Sequence, residues 1–315
     1  MLTSATLSLQ DASTSNACIA QLTGFVPFEL LAEFETKDTA ARDQADDEKL
    51  QAGIDMAVAK GVLPGGLVPA PYTVIHVEGK STDQITGEII SALPKGEGCV
   101  MVLVGLSGTG KSTTVARLSQ QLPNFVAWSN GNVFRSLTLL SVRWCEAQGL
   151  PGFDAAAALT PENLASFMGM LSFGKHGKES FDIKIEGLGL NVLVSDIANT
   201  ELKAPAVGKN IPTVANATQG EVVNFVAKAV AMMSAEGKNV LIEGRAATVN
   251  HIPTPFRFAL TLKDPGVIGQ RRAAQRIVAA VLNDFKAAGT VEEATPEQID
   301  EALRASAIKL QKQSV

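Results

Sequence analysis

The reading of this chain turns on CVMVLVGLSGTGKST, residues 99–113. The first six residues are apolar without interruption, as expected of a strand covered on both faces in the middle of a parallel sheet. The segment 105–112 then matches G-x-x-x-x-G-K-[ST] in full, and a helical pattern follows at Val115, Leu118 and Leu122. Gly105, Gly108 and Gly110 let backbone N–H groups turn inward as a cradle for phosphate oxygens, and the helix start adds its positive dipole end. Lys111 is expected to reach the β- and γ-phosphates, and the Ser112 hydroxyl to ligate Mg²⁺. Ser107, Thr109 and Thr113 complete the expected nucleotide-binding set, so the motif implies ATP or GTP.

Working outward, further apolar, β-prone runs stand at 125–128, 239–242 and 256–262, separated by helix-length stretches. Upstream, 72–77 (YTVIHV) reads as a short strand. A helix over 82–93 follows it, with Ile85, Ile89, Ile90 and Leu93 on one face. Buried strands alternating with helices imply an α/β fold, a doubly wound parallel sheet with helices on both faces. The run FDIKIEG at 181–187 alternates apolar and polar residues and is followed at once by 191–194, which predicts a small antiparallel hairpin outside the main sheet. Residues 94–98 break the preceding helix, and 291–313 reads as a capped helix.

The Pro/Gly-rich segment 61–71 (GVLPGGLVPAP) cannot continue a helix and sets a boundary near residue 70. Residues 1–70 then form an acidic, partly helical extension, and 71–315 the main unit, with a hairpin insert at about 175–218 and a lid at about 264–290. One or two amphipathic helices are expected over 32–59, with the acidic stretch 43–49 as a solvated face.

Composition narrows the function. The chain has 315 residues with 46% hydrophobic and 19% charged and a mean hydropathy of +0.15, which excludes a disordered chain. No apolar run approaches the roughly 18–20 residues of a membrane span. The net charge of −5 argues against an extended nucleic-acid surface. It hides an asymmetry: residues 1–90 carry 13 acids and 5 bases, whereas 91–315 carry 19 acids and 22 bases. Three cysteines without a CxxC pattern fit a reducing, cytoplasmic location, and three scattered histidines predict no zinc site. A GTPase would need N-K-x-D, which is absent, and no strand ends in the paired acids of many ATPases. The nearest such acid is Glu243.

The remaining motifs resemble the nucleoside monophosphate kinase group, cytidylate kinases most closely. The stretch SNGNVFRSLTLL at 129–140 resembles that family's D-[ST]-G-x-x-Y-R-[AS]-x-T-L-L, and EGRAATV at 243–249 resembles its G-R-D-x-G-T-V segment. The hairpin at 183–197 and RRAAQR at 271–276 resemble its inserted subdomain and its lid helix. The resemblance covers about residues 97–280. It implies that Arg135 and Arg245 hold the acceptor's phosphate, with Asn130 beside them. It also implies that Arg271, Arg272 and Arg276 close over the transferring group, and that Glu243 with Ser112 orients Mg²⁺. Lys111, Arg245, Arg271 and Arg272 would be the catalytic set, and Arg276 would join the nucleotide-binding residues.

Several positions depart from the family's pattern. Ser129, Asn130, Phe134 and Ala246 stand where it has Asp, Ser or Thr, Tyr and Asp, and no arginine follows the hairpin near Ala198 and Asn199. These are positions for reading ribose or base, so phosphate handling is the better-supported part. The implied activity is transfer of a phosphoryl group from Mg-ATP to a nucleoside monophosphate such as CMP. A kinase of another small metabolite, a regulatory nucleotide-binding protein, and an ATPase coupled to a partner are the alternatives. No nucleic-acid or membrane partner is expected, and residues 1–70 are a candidate surface for a partner or for self-association. Finally, 72–93 resembles the strand and helix with which the family ends. This suggests a circular permutation, whose criterion is direct pairing of 72–77 beside 99–104.

Overall fold

The computed structural model describes residues 2–96 and 98–314, so Glu97 within the expected 94–98 break lies outside the described residues. Among the described residues there are eight strands: β1 (Thr73–His76), β2 (Cys99–Gly105), β3 (Phe125–Trp128), β4 (Leu171–Gly174), β5 (Asp182–Gly187), β6 (Leu190–Leu193), β7 (Asn239–Glu243) and β8 (Phe256–Thr261). Five of them form one sheet in the order β1-β8-β2-β7-β3, every neighbouring pair parallel.

The apolar run of β2 sits at the centre of this sheet because both its faces are covered. Val102 packs with Val240 and Ile242 in one core, closed by Val133 and Leu137 of helix Gly131–Ala147 and Val222 and Val226 of helix Gln219–Ala235. Met101 and Leu103 face the other way, onto Ile85 and Ile89 of helix Thr82–Ser91 and Leu118 of helix Lys111–Gln121. Met101, Val102 and Leu103 are fully buried, each contributing about 1.5–3 kcal/mol of apolar burial. Helices therefore cover both faces of a parallel sheet, the α/β architecture that the alternation of motifs implies.

The expected pairing of 72–77 beside β2 is not found. Strand β1 pairs with β8, Ile75 opposite Leu260, and β8 stands between it and β2. The burial of β1 explains the position: only Ile75 of its four residues is covered and Val74 is 52% exposed, which suits an edge strand. The direct pairing set as the criterion for a permutation is therefore not met. In the centre, β8 carries a surprise for an apolar run: Arg257 is fully buried. Its guanidinium donates to the carbonyls of Val249 and Ile252, to Asn250 Oδ1 and to the Tyr72 hydroxyl, over whose ring it also lies.

The 181–194 hairpin forms as β5 and β6, and a third strand, β4, joins it in a separate antiparallel sheet. Phe173 of β4 stacks on Phe181 at 5.3 Å and meets Trp128 edge-on at 5.5 Å, which ties the small sheet to the C-terminal end of β3.

Residues preceding β1 form helices Ser4–Leu9, Ala12–Leu22 and Val26–Ala59. The last is a single 34-residue helix that stops before the Pro/Gly-rich segment. Phe28, Leu31 and Ala32 share a core with Ala273, Ala274 and Ile277 of helix Gly266–Ala288 and with Ile299 and Leu303 of helix Pro296–Gln313. The two long helices approach so closely at Gly269 that a Cβ there would lie 2.1 Å from the carbonyl oxygen of Ala32. The buried stripe of Val26–Ala59 then continues through Glu35, Thr39 and Asp43. Residues 44–49 are exposed, as the reading of a solvated face expects, and Asp43 alone departs from it at 4% exposed. Among the described residues no helix is long and apolar enough to cross a membrane.

Candidate functional site

The C-terminal ends of β2, β7 and β3 deliver the loop after β2, Glu243 with Arg245, and Trp128 with Asn130 to one edge of the sheet. Ligands of open parallel sheets bind at this edge, outside the carboxyl ends of the strands. The glycine-rich loop is shaped by its backbone. Gly108 and Gly110 have φ of +85° and +89°, left-handed values at which a side chain is strained. Gly110 caps helix Lys111–Gln121 without a side-chain hydrogen bond, and the first N–H to bond within the helix is that of Thr114, to Gly110 O at 2.9 Å. The N–H groups of Lys111, Ser112 and Thr113 therefore precede the helical ladder, a donor set suited to an anion.

Two cavities meet at Lys111. One, about 590 Å³, runs along Gly108–Thr113 and is also lined by Arg271, Gln275, Lys80, Ser81 and Thr82. The second, about 510 Å³, is lined by Trp128, Ser129, Asn130, Glu243 and Arg245. Lys111 lines both. Its Nζ donates to Gly105 O at 2.7 Å and Leu106 O at 3.0 Å. Burial draws its ammonium below the usual lysine value; the carboxylate of Glu243 opposes this, and the positive charge of Arg245 adds to it.

The expected site residues separate into those that converge and those that do not. Gly108, Thr109, Gly110, Lys111, Ser112, Thr113 and Arg271 share the first cavity, with Arg271 Nη1 donating to Gly108 O at 3.2 Å. Gly105 ends β2, where a Cβ would lie 2.7 Å from Leu260 O. Asn130, Glu243 and Arg245 share the second cavity, where Asn130 Oδ1 accepts the indole N–H of Trp128 at 2.9 Å.

Three arginines stand apart. Arg276 is ion-paired with the buried Glu35 of helix Val26–Ala59 instead of facing the loop. Arg272, one residue on from Arg271 and so about 100° round the helix, has its Nε buried without a hydrogen-bond partner. Arg135 stands at the start of the second turn of helix Gly131–Ala147, with its Nη1 near Gly131.

Ser107, expected among the nucleotide ligands, has a different partner. Its backbone N–H donates to Asp43 Oδ2 at 2.8 Å and its hydroxyl to Asp43 Oδ1 at 2.6 Å. Arg245 Nη2 donates to the same Oδ1 at 2.5 Å, and Asp47 lies 3.6 Å from Arg245 Nε. Burial alone would push the Asp43 carboxyl up; the hydrogen bonds from Arg245 and Ser107 outweigh it and hold the group at about 2. The same pairing pushes the Arg245 guanidinium above its usual value.

Sequence reasoning missed Asp43 and Asp47. The available signal was periodicity: Phe28, Leu31, Ala32, Glu35, Thr39 and Asp43 follow one helical stripe whose chemistry changes from apolar to polar.

A nucleotide's phosphates fit this donor set, because the loop offers unpaired N–H groups, a cation and glycine backbones with no Cβ in the cradle. Ser112 lines the first cavity and Glu243 the second, and both are oxygen donors of the kind Mg²⁺ takes together with phosphate oxygens. Among the described residues no group of three or more His, Cys, Asp or Glu is placed to hold a metal unaided. No protein-family model matches the chain, and no curated protein matches it significantly.

Proposed function

We propose that the protein is a phosphotransferase that moves the γ-phosphoryl group of Mg-ATP to a small phosphorylated acceptor, a nucleoside monophosphate such as CMP. The observation that carries this reading is the pair of cavities sharing Lys111, one along the glycine-rich loop and the other beside Arg245. An ATPase needs only the first. A transferase needs both, meeting at a cation.

Mg-ATP would supply the phosphoryl group and its activating cation. The remaining work belongs to the chain. The N–H groups of Lys111, Ser112 and Thr113 hold phosphate oxygens, and the Lys111 ammonium, between the cavities, offsets charge on the group in transit. Ser112 and Glu243 hold the cation side. Arg245, held by Asp43 at Nη2, offers its Nη1 and its charge to the acceptor's phosphate. Arg271, anchored at Gly108, closes the donor side as a lid residue. In the transfer the bond from the γ-phosphorus to the ADP oxygen breaks and one to an acceptor phosphate oxygen forms. A dianionic acceptor brings no proton to remove, so positioning and charge neutralisation suffice.

The test is ADP release from ATP against a panel of nucleoside monophosphates and small metabolites. Acceptor-dependent release supports the reading. Acceptor-independent release identifies an ATPase, and ATP binding without release a regulatory protein. Lys111→Ala should lower acceptor-dependent turnover by about 10²-fold or more; retained turnover with intact ATP binding overturns the role given to Lys111.

A further inference from the structure

Asp43 belongs to the N-terminal helix, about 60 residues before the loop it touches, and yet both its carboxylate oxygens are committed to the site. Oδ2 takes the Ser107 N–H, and Oδ1 takes the Ser107 hydroxyl and Arg245. Arg245 is thereby fixed through Nη2 and flanked at Nε by Asp47. Among the described residues its Nη1 makes no hydrogen bond, and the residue lines the 510 Å³ cavity. Next to Arg245 stands Ala246, so its sequence neighbour has no carboxylate to orient the guanidinium.

The helix that carries Asp43 is built into the fold. Phe28, Leu31 and Ala32 lie in the core it shares with Gly266–Ala288, and the contact at Gly269 leaves no room for a methyl group. A carboxylate on so fixed an element is a permanent anchor for Arg245 behind the cavity, which distinguishes it from a detachable plug that an incoming phosphate displaces. A long, flexible arginine side chain gains most from such an anchor, because the ordering of its rotamers is completed on folding and not on ligand binding.

We propose that Asp43 is a positioning residue: braced by Ser107 of the loop, it holds Arg245 in the geometry that receives phosphate at the Arg245 cavity. This rests on reading that cavity as the acceptor side. Asp43 need touch neither substrate.

The test uses the full chain. In ¹⁵N NMR, the Arg245 Nη2–H signal, assigned by its loss in Arg245→Lys, should exchange slowly with water in the wild type, because Nη2 donates to Asp43. It should move to fast exchange in Asp43→Asn, return toward slow exchange in Asp43→Glu, and stay unchanged in Asp38→Asn, an acid of the same helix that pairs with Arg42. Titrated with inorganic phosphate, the Arg245 signal of Asp43→Asn should report affinity about tenfold weaker than wild type. In the turnover assay, Asp43→Asn should raise the acceptor KM about tenfold while the KM for ATP changes less than about threefold.

Fast exchange in the wild type overturns the proposal even if the variants do not fold. So does an unchanged signal in Asp43→Asn. Tighter phosphate binding or faster turnover in Asp43→Asn overturns it too, and makes Asp43 a competitor for the site. If the wild type shows no acceptor-dependent ADP release but the exchange and phosphate results hold, the transferase reading fails and the positioning of Arg245 stands.

Discussion

Replacing Gly269 with alanine sets two physical effects of opposite sign against each other. Helix propensity favours the change, because alanine in a helix is about 1 kcal/mol better than glycine. Packing opposes it. The new Cβ would lie 2.0 Å from Thr36 Oγ1, 2.1 Å from Ala32 O and 2.9 Å from Thr36 N. Thr36 Oγ1 can rotate away, but the carbonyl of Ala32 belongs to the backbone of the 34-residue helix and can recede only if the helix does. Restoring ordinary contact requires a separation of more than 1 Å in a region whose interior is close-packed. Overpacking of this kind costs typically 1–3 kcal/mol. The backbone contact puts the cost at the upper end, so a net loss of about 2 kcal/mol remains after the propensity gain. Gly87 provides the matched control: it lies in helix Thr82–Ser91, is exposed, and a Cβ there meets nothing within 4 Å. Thermal or urea unfolding of the two variants should therefore shift in opposite directions, Gly87→Ala to higher stability and Gly269→Ala to lower. A Gly269→Ala protein at least as stable as wild type refutes the close docking of the N-terminal helix, and with it the fixed anchor on which the placement of Asp43 depends.

Three other outcomes are expected. Arg257→Met should cost about 2 kcal/mol in urea unfolding, because it leaves the Ile252 carbonyl without its donor inside the protein, while the Val249 carbonyl keeps only the Ile252 N–H; a loss under about 1 kcal/mol would show that solvent reaches the Ile252 carbonyl. The Asp43 carboxyl is depressed to about 2, so its ionised form stabilises the folded chain above about pH 4, and that contribution, about 2 kcal/mol, is lost as pH falls through 2. Wild type should lose more stability than Asp43→Asn between pH 4 and 2, and parallel pH curves would contradict the pairing. Burial pushes Cys18 up to about 12 and Cys99 to about 11, so alkylation of both at pH 8 should be slow in the folded protein and rapid in denaturant; rapid labelling of folded protein would place them nearer the surface.

The alternation of buried strands with helices was legible because each element writes its own period: β2 as an unbroken apolar run, Thr82–Ser91 as isoleucines on one face, and β5 with β6 as alternation. The loop was legible for a related reason, since its chemistry depends on consecutive backbone groups and the side chains of Lys111 and Ser112 beside them. Local chemistry of this kind survives in a linear reading. The lid arginines show where it stops. Arg271, Arg272 and Arg276 read as one functional cluster, but a helix turns about 100° per residue, so Arg271 reaches Gly108 while Arg276 finds Glu35. Nothing in the spacing of RRAAQR reveals which neighbour each would meet.

By itself, then, the sequence determined the α/β class, the strand at the sheet's centre, the glycine-rich loop with Lys111, and the two segments bearing Asn130 and Arg245. Only the tertiary structure decided that β8 separates β1 from β2 and that an arginine could be buried in β8. Only it decided that the acidic N-terminal segment, whose charges read as a solvated face, turns Glu35 and Asp43 inward. The reason is physical: a carboxylate is costly to bury until a cation and hydrogen-bond donors meet it. Those partners, Arg245 and Ser107, lie about 200 and 60 residues away along the chain, brought to Asp43 by a helix whose docking is set by packing at Gly269.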